Sequence, residues 1–344
     1  MLDAWVAGRL GAAAPLTAEA LARRQLEALN AVLAYARASS PFYRTRLPEG
    51  EIASLDGLSR LPFTTPEDLR QSGRLMLCVK GDEISRIVTL LTSGSTGPSK
   101  RVYFTADDQE RTVDFFHHGM ATLIRPGDKV LLLFPGESPG SLNDLLITGL
   151  RRMGAEGIPF GHPTEERYDG LLNAILEQRA ASLVGPASAV AGAAERSLRQ
   201  GRSAEIGSIL ESVLLAAEYV SPQNRAIIRD AWHCTVNEQY GMTETGFLGP
   251  VSCAVHDGYH IPAADLYCEI VHPDTGQPLP PGEEGEVVFT TLSRRGMPLI
   301  RYRTGDRSRL LAEPCPCGSV LPRLARVQSR PDRKKFQRPE PISF

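Results

Sequence analysis

Apolar residues recur at three- and four-residue spacing at Leu26, Leu29, Leu33 and Ala36, the period of a helix that buries one face. Thr17 stands where a hydroxyl can cap that helix, and Ser39-Ser40-Pro41 where the chain leaves it. Thr65-Pro66-Glu67-Asp68 predicts another start, with a capping hydroxyl, a proline at the first helical position and acids in the first turn. From about Arg86 to Thr105 the pattern changes to two β-rich stretches, IVTLLT and RVYFT, on either side of the loop SGSTGPSK. That predicts strand, loop, strand.

From Pro126 to Tyr240 short apolar runs (VLLLF, GIPF, SLVG, SVLLAA, HCTVN) alternate with helix-length segments such as SLNDLLITGLRRM and SPQNRAIIRDAW. The alternation predicts βαβ crossovers and an α/β fold with a mostly parallel sheet. After Gly246 the helical pattern fades, leaving LYCEIV, EVVFTT and PLIRYRT as strands between Pro/Gly turns. The expected division is a helical lead-in over 1–85, an α/β nucleotide-binding unit over 86–245, a β-rich unit over 246–330, and a short tail over 331–344.

Composition narrows the picture. With 344 residues, 42% of them apolar, the chain can bury a sizeable core, and 31 Gly and 26 Pro are too few for a fibrous or low-complexity chain. Lys+Arg 38 against Asp+Glu 40 leaves a net charge of -2, no overall field for nucleic acid or an anionic membrane. The first twenty residues lack the cationic start of a secretory signal, and no apolar run is long enough to span a bilayer. Six Cys in such a chain point to thiols or metal rather than disulfides, and to a cytoplasmic protein.

The loop Thr92-Ser93-Gly94-Ser95-Thr96-Gly97-Pro98-Ser99-Lys100 offers backbone N–H groups freed by glycine, several hydroxyls and a terminal ammonium. That inventory suits phosphate oxygens. It departs from the Walker A pattern, whose second glycine would fall at Ser99, so a P-loop NTPase is disfavoured. Separately, Cys253, His260, Cys315 and Cys317 form a Cys3His set, and soft thiolates with an imidazole suit tetrahedral Zn2+. His256 is the rival fourth ligand. Cys78, Cys234 and Cys268 read as small buried hydrophobes.

Two further motifs follow the phosphate loop in order: Asn237-Glu238-Gln239-Tyr240-Gly241-Met242-Thr243-Glu244, and Arg301-Tyr302-Arg303-Thr304-Gly305-Asp306. Together the three resemble the adenylate-forming superfamily of acyl-CoA synthetases, adenylation domains and luciferases. The closer likeness is to phenylacetate-CoA ligases. It is carried by Ser40-Pro41-Phe42-Tyr43-Arg44, Leu61-Pro62-Phe63-Thr64-Thr65, His260-Ile261, Met297-Pro298-Leu299-Ile300-Arg301 and Cys315-Pro316-Cys317-Gly318, and spans about Ser40 to Asp332.

The resemblance implies the large N-terminal domain of that fold, with a zinc site in its β-rich part, and ATP, AMP and Mg2+ as nucleotide and cofactor. Ser93, Gly94, Ser95, Thr96, Gly97 and Lys100 would hold the phosphates, and Glu244 the Mg2+. Ala216, Ala217 and Glu218, with Gln239, Tyr240, Gly241, Met242 and Thr243, would line the adenine side, and Asp306 would accept from the ribose hydroxyls. Thr96, Lys100 and Glu244 would be the catalytic group. The acid pocket would draw on 134–143, 216–219 and Gln239.

The implied reaction is activation of an aryl or other hydrophobic carboxylic acid to an acyl-adenylate, with onward transfer to CoA or a thiol carrier. Ser329-Arg330-Pro331-Asp332 resembles the hinge before the family's mobile C-terminal domain, and the sequence runs only twelve residues further. The expectation is therefore an enzyme that forms the acyl-adenylate with its large domain alone, or with a lid and thiol acceptor supplied in trans, a homodimer or a separate lid subunit being the candidate assemblies. The alternative reading is a non-catalytic nucleotide- or acyl-binding partner of the same fold.

Overall fold

The computed structural model describes residues 2–90, 99–136 and 138–328. Ser93, Gly94, Ser95, Thr96 and Gly97 of the phosphate loop, and the hinge-like Ser329-Arg330-Pro331-Asp332, lie outside them. The chain opens with helices α1 (Leu2–Leu10), α2 (Ala18–Ser39), α3 (Pro41–Arg44) and α4 (Pro66–Ser72). Their starts follow the local chemistry: the Thr17 hydroxyl accepts from the Ala20 N–H, and Thr65 and Asp68 form a reciprocal capping box. Strands β1 (Ile84–Leu90) and β2 (Lys100–Thr105) pair antiparallel on either side of the loop. Helix α5 (Ala106–Met120) continues directly from β2, capped by Thr105 and Asp108.

A wholly parallel sheet follows, ordered β4-β3-β5-β6-β7. Its strands are β3 (Lys129–Leu132), β4 (Glu156–Pro159), β5 (Ser182–Gly185), β6 (Ser212–Leu215) and β7 (Thr235–Glu238). Parallel neighbours need crossovers, which α6 (Leu142–Arg152), α7 (Tyr168–Gln178), α8 (Ala187–Arg199), α9 (Ser203–Gly207) and α10 (Pro222–Trp232) supply. Alternate side chains serve opposite faces. Val130, Leu132, Val184 and Leu214 pack against α1, α5 and α6, whereas Leu131, Leu183, Val213 and Leu215 pack against α7, α8 and α10.

The remaining strands are β8 (Tyr259–His260), β9 (Leu266–Val271), β10 (Gly285–Thr291), β11 (Tyr302–Ser308) and β12 (Arg323–Leu324). They form an antiparallel sheet, β11-β10-β9, and a short β12-β8 pair. Their core is shared with α2 and with Val102, Tyr103 and Phe104 of β2. One strand is displaced from expectation: in PLIRYRT, β11 starts only at Tyr302 and runs on through Gly305 and Asp306. Arg301 turns instead, with φ of 49°. Its guanidinium is buried, paired with the Glu269 carboxylate at 3.0 Å and bonded to the carbonyls of Ser59 and Leu61. Among the described residues no helix is long and apolar enough to cross a membrane.

Candidate active site

The first residue of β2 meets the turn that follows β7. Lys100 Nζ lies 2.6 Å from Glu244 Oε1, across 144 residues. The Tyr302 hydroxyl, at the start of β11, donates to the same oxygen at 3.2 Å. Glu244 is buried, and its turn is built by bonds from the N–H groups of Thr245 and Phe247 to the Met242 carbonyl, with Gly246 and Phe247 at positive φ. A buried carboxylate beside the end of the phosphate loop is a hard oxygen donor of the kind Mg2+ takes, so the residues fit that ion.

Tyr240 and Asp306 also come together across 66 residues. The Tyr240 hydroxyl donates to Asp306 Oδ2 at 2.9 Å, and the Thr304 hydroxyl accepts from the Asp306 N–H at 3.0 Å. Burial first, and the adjacent carboxylate second, push the Tyr240 hydroxyl well above its usual pKa. The backbone of the motif is pinned by Gln239 N–H to the Leu215 carbonyl and Tyr240 N–H to the Pro250 carbonyl. Gly249 makes that approach possible, because a Cβ there would fall 2.1 Å from the Tyr240 carbonyl oxygen. Gly249 carries no signal in the sequence, since only the chain crossing against Tyr240 gives it meaning.

Ala216, Ala217 and Glu218 leave the C-terminal end of β6. Ala217 takes φ of 71°, a conformation that favours glycine. The Glu218 carboxylate accepts from the Ser188 N–H in the first turn of α8. The Gln239 amide donates to the Phe247 carbonyl at 3.1 Å and braces the Glu244 turn, with Gly241, Met242 and Thr243 between them. In the expected acid pocket, buried Asn143 bonds the Phe134 carbonyl at 2.7 Å, while Tyr219 is exposed.

The four sulfur and imidazole groups also converge. The ligand atoms of Cys253, His260, Cys315 and Cys317 all lie within 4.8 Å of one another. Cys253 Sγ is 3.7 Å from Cys315 Sγ, and Cys317 Sγ is 3.4 Å from His260 Nε2. A tetrahedral ion with the usual Zn–S and Zn–N lengths sets such edges at about 3.8 and 3.6 Å, so the donor set fits zinc. His256 stays out of the cluster. Burial first, and then the guanidinium groups of Arg225 and Arg326, hold its imidazole below the usual pKa. Burial likewise lowers His260 and favours the neutral form that ligates metal. Of the other cysteines Cys234 is buried, whereas Cys78 and Cys268 are only half-buried.

This combination of fold and site has known relatives. The chain belongs to the AMP-binding enzyme family, whose model matches residues 24–293. It is similar to the phenylacetate-coenzyme A ligase of Thermus thermophilus, 31% identical with 92% of this chain and 72% of that one covered. Similarity to the phenylacetate-coenzyme A ligase of Pseudomonas putida is 30%, over 91% and 71%. Its fold matches an open conformation of 2-hydroxyisobutyryl-CoA ligase in complex with 2-HIB-AMP and CoA, with a TM-score of 0.79 and 23% identity over 92% of this chain and 71% of that one.

Proposed function

We propose that this protein is an AMP-forming ligase that activates a carboxylic acid with ATP and passes the acyl group to CoA. The substrate carboxylate attacks the α-phosphorus of ATP; a new acyl C–O–P linkage forms, the bond between the α-phosphorus and its bridging oxygen breaks, and pyrophosphate leaves. The carboxylate is already a nucleophile, so the protein needs no general base. Its task is in-line positioning and charge neutralisation on the phosphates. Lys100 supplies a cation and Glu244 would hold Mg2+, which adds charge neutralisation when bound. Asp306 would accept from the ribose hydroxyls, and Tyr240 would lie against the adenine. Ser93, Ser95 and Thr96 would supply the remaining phosphate contacts.

The observation that carries the reading is the meeting of Lys100 with Glu244 at 2.6 Å, together with that of Tyr240 with Asp306 at 2.9 Å, in a chain of the AMP-binding family. An aryl or otherwise hydrophobic acid fits the relatives' names. A zinc ion on Cys253, His260, Cys315 and Cys317 would be structural, because four protein ligands leave no open position.

The test is pyrophosphate release from ATP and Mg2+ against a panel of aryl, heteroaryl and aliphatic acids, with and without CoA. Release that depends on one acid supports the reading and names the substrate. AMP binding with no release from any acid would replace it with the non-catalytic nucleotide-binding alternative.

A further inference from the structure

Glu244 is held from a second direction. Its backbone carbonyl accepts from Arg294 Nη1, in the connection between β10 and β11. Arg294 is buried; its Nη2 donates to the Tyr103 carbonyl at 3.3 Å, and the guanidinium lies over the Phe104 ring with 4.4 Å to the centroid. Tyr103 and Phe104 belong to β2, the strand that begins at Lys100. One planar group therefore ties the Glu244 turn to the strand carrying its ion-pair partner.

The segment bearing Arg294 is itself clamped. Buried Asp108, in the first turn of α5, accepts the N–H groups of Arg295 at 2.8 Å and Gly296 at 2.9 Å. A Cβ on Gly296 would lie 2.8 Å from Asp108 Oδ2, so only glycine allows the clamp to close. On the other side the Ser293 hydroxyl donates to Asp265, which pairs with Arg9 of α1 at 2.6 Å. Burying a guanidinium costs free energy that an apolar side chain would not, and burial pushes Arg294 down to about 10. Its hydrogen bonds go to two carbonyls at the site, not to a carboxylate, so core filling does not account for it.

We infer that Arg294 is a positioning residue: by fixing the Glu244 carbonyl against β2 it holds the Glu244 carboxylate and the Lys100 ammonium in register for the phosphates and their Mg2+. The inference rests on the proposed acid activation. Arg294 itself touches no reacting atom, so its effect should appear in kcat and in the Mg2+ requirement but not in the KM for the acid.

The experiment compares Arg294→Met and Arg294→Lys with the parent chain in pyrophosphate release, titrating ATP, Mg2+ and acid separately. A misplacement near 1 Å can cost about a hundredfold in rate; that loss is expected for Arg294→Met, with about a tenfold rise in the Mg2+ needed for half-maximal rate. Lysine can reach one carbonyl but lacks the fork that spans two, so Arg294→Lys should fall between. Wild-type kcat and Mg2+ dependence in folded Arg294→Met would overturn the inference, as would a loss that only tracks the folded fraction. If Arg294→Met does not fold, Arg294→Lys is judged on the same readouts. If the parent releases no pyrophosphate, the functional proposal fails and calorimetry of ATP with and without Mg2+ decides. Glu244→Gln should abolish the Mg2+-dependent gain in ATP affinity and Arg294→Lys should reduce it, by less than the roughly ten- to hundredfold that full loss of an outer-shell partner costs; an unchanged gain would overturn it.

Discussion

The Lys100 ammonium and the Glu244 carboxylate form an ion pair of 2.6 Å, with side chains 15% and 8% exposed. The two residues assigned to opposite partners, phosphate and Mg2+, thus hold each other. On the proposed function, binding of magnesium nucleotide would exchange this pair for two others, cation on phosphate and carboxylate on metal, without leaving either charge unpaired in a poorly solvated place. Such an exchange offsets the desolvation that would otherwise weigh against binding a highly charged ligand.

Removing one partner should therefore harm the fold as well as the reaction. Lys100→Met leaves the Glu244 carboxylate buried with, among the described residues, the Tyr302 hydroxyl as its side-chain hydrogen-bond partner, and breaking a buried pair in this way costs about 3 kcal/mol. Glu244→Gln added to Lys100→Met should recover part of that loss, because the uncompensated charge is gone. Urea titrations of the single and double variants measure the coupling. A double variant as unstable as the sum of the singles would show that the pair contributes nothing to the free protein. None of the three should release pyrophosphate.

The Tyr240–Asp306 hydrogen bond separates two roles that the motif alone merges. Asp306→Ala removes the acceptor proposed for the ribose and should weaken AMP binding by about 3 kcal/mol, the upper range for a hydrogen bond to a charged group. Tyr240→Phe keeps the ring and removes the 2.9 Å donor to Asp306 while leaving the carboxylate in place, so AMP affinity should change by less than in Asp306→Ala. Calorimetry with AMP checks both. Equal losses would place the tyrosine hydroxyl, rather than its ring, in nucleotide binding.

Much of this was legible in residue order, and the limits have physical causes. Caps at Thr17 and Thr65 act over three residues, and apolar strands buried on both faces announce a parallel sheet, so both can be read locally. The meetings of Lys100 with Glu244 and of Tyr240 with Asp306 were legible only through the order of three motifs. Arg301 read as strand because its neighbours are β-formers; its turn is set by Glu269 and by carbonyls more than two hundred residues upstream. Gly249 and Gly296 carried no signal, since the atoms that exclude a side chain there belong to Tyr240 and Asp108. Spacing could not choose between His256 and His260. The choice is made by the pairing of β8 with β12, His260 opposite Arg323, which brings that imidazole to Cys317.

Ala217 offers a prediction about stored strain. At φ of 71° its Cβ crowds the following carbonyl, a cost of about 1 kcal/mol that glycine does not bear. Ala217→Gly should therefore raise the urea midpoint with an unchanged m-value, against the modest entropy glycine adds to the unfolded chain. A lowered midpoint would mean that the methyl group makes packing contacts worth more than the strain it causes.

The metal assignment turns on which histidine completes the set. His260 and the three cysteines present ligand atoms within 4.8 Å of one another, whereas a metal at His256 would face the guanidinium groups of Arg225 and Arg326. Protein purified without chelator should therefore carry a single zinc ion per chain, and His256→Ala should keep it while His260→Ala and Cys317→Ser lose it. Cobalt exchange adds a check on geometry, since a tetrahedral site with three thiolates gives visible thiolate-to-metal and d–d bands that a site in surface carboxylates does not. The cluster joins Cys315 and Cys317, beside β12, to Cys253 and to His260 of β8, and Val251 bridges His260 to Gln239 in the nucleotide motif. Stripping the metal should accordingly lower stability by about 4 kcal/mol when free zinc had exceeded the dissociation constant a thousandfold, and should weaken AMP binding as well. Stripped protein with unchanged thermal stability and AMP affinity would leave the four residues as reduced thiols and an imidazole that merely lie close together.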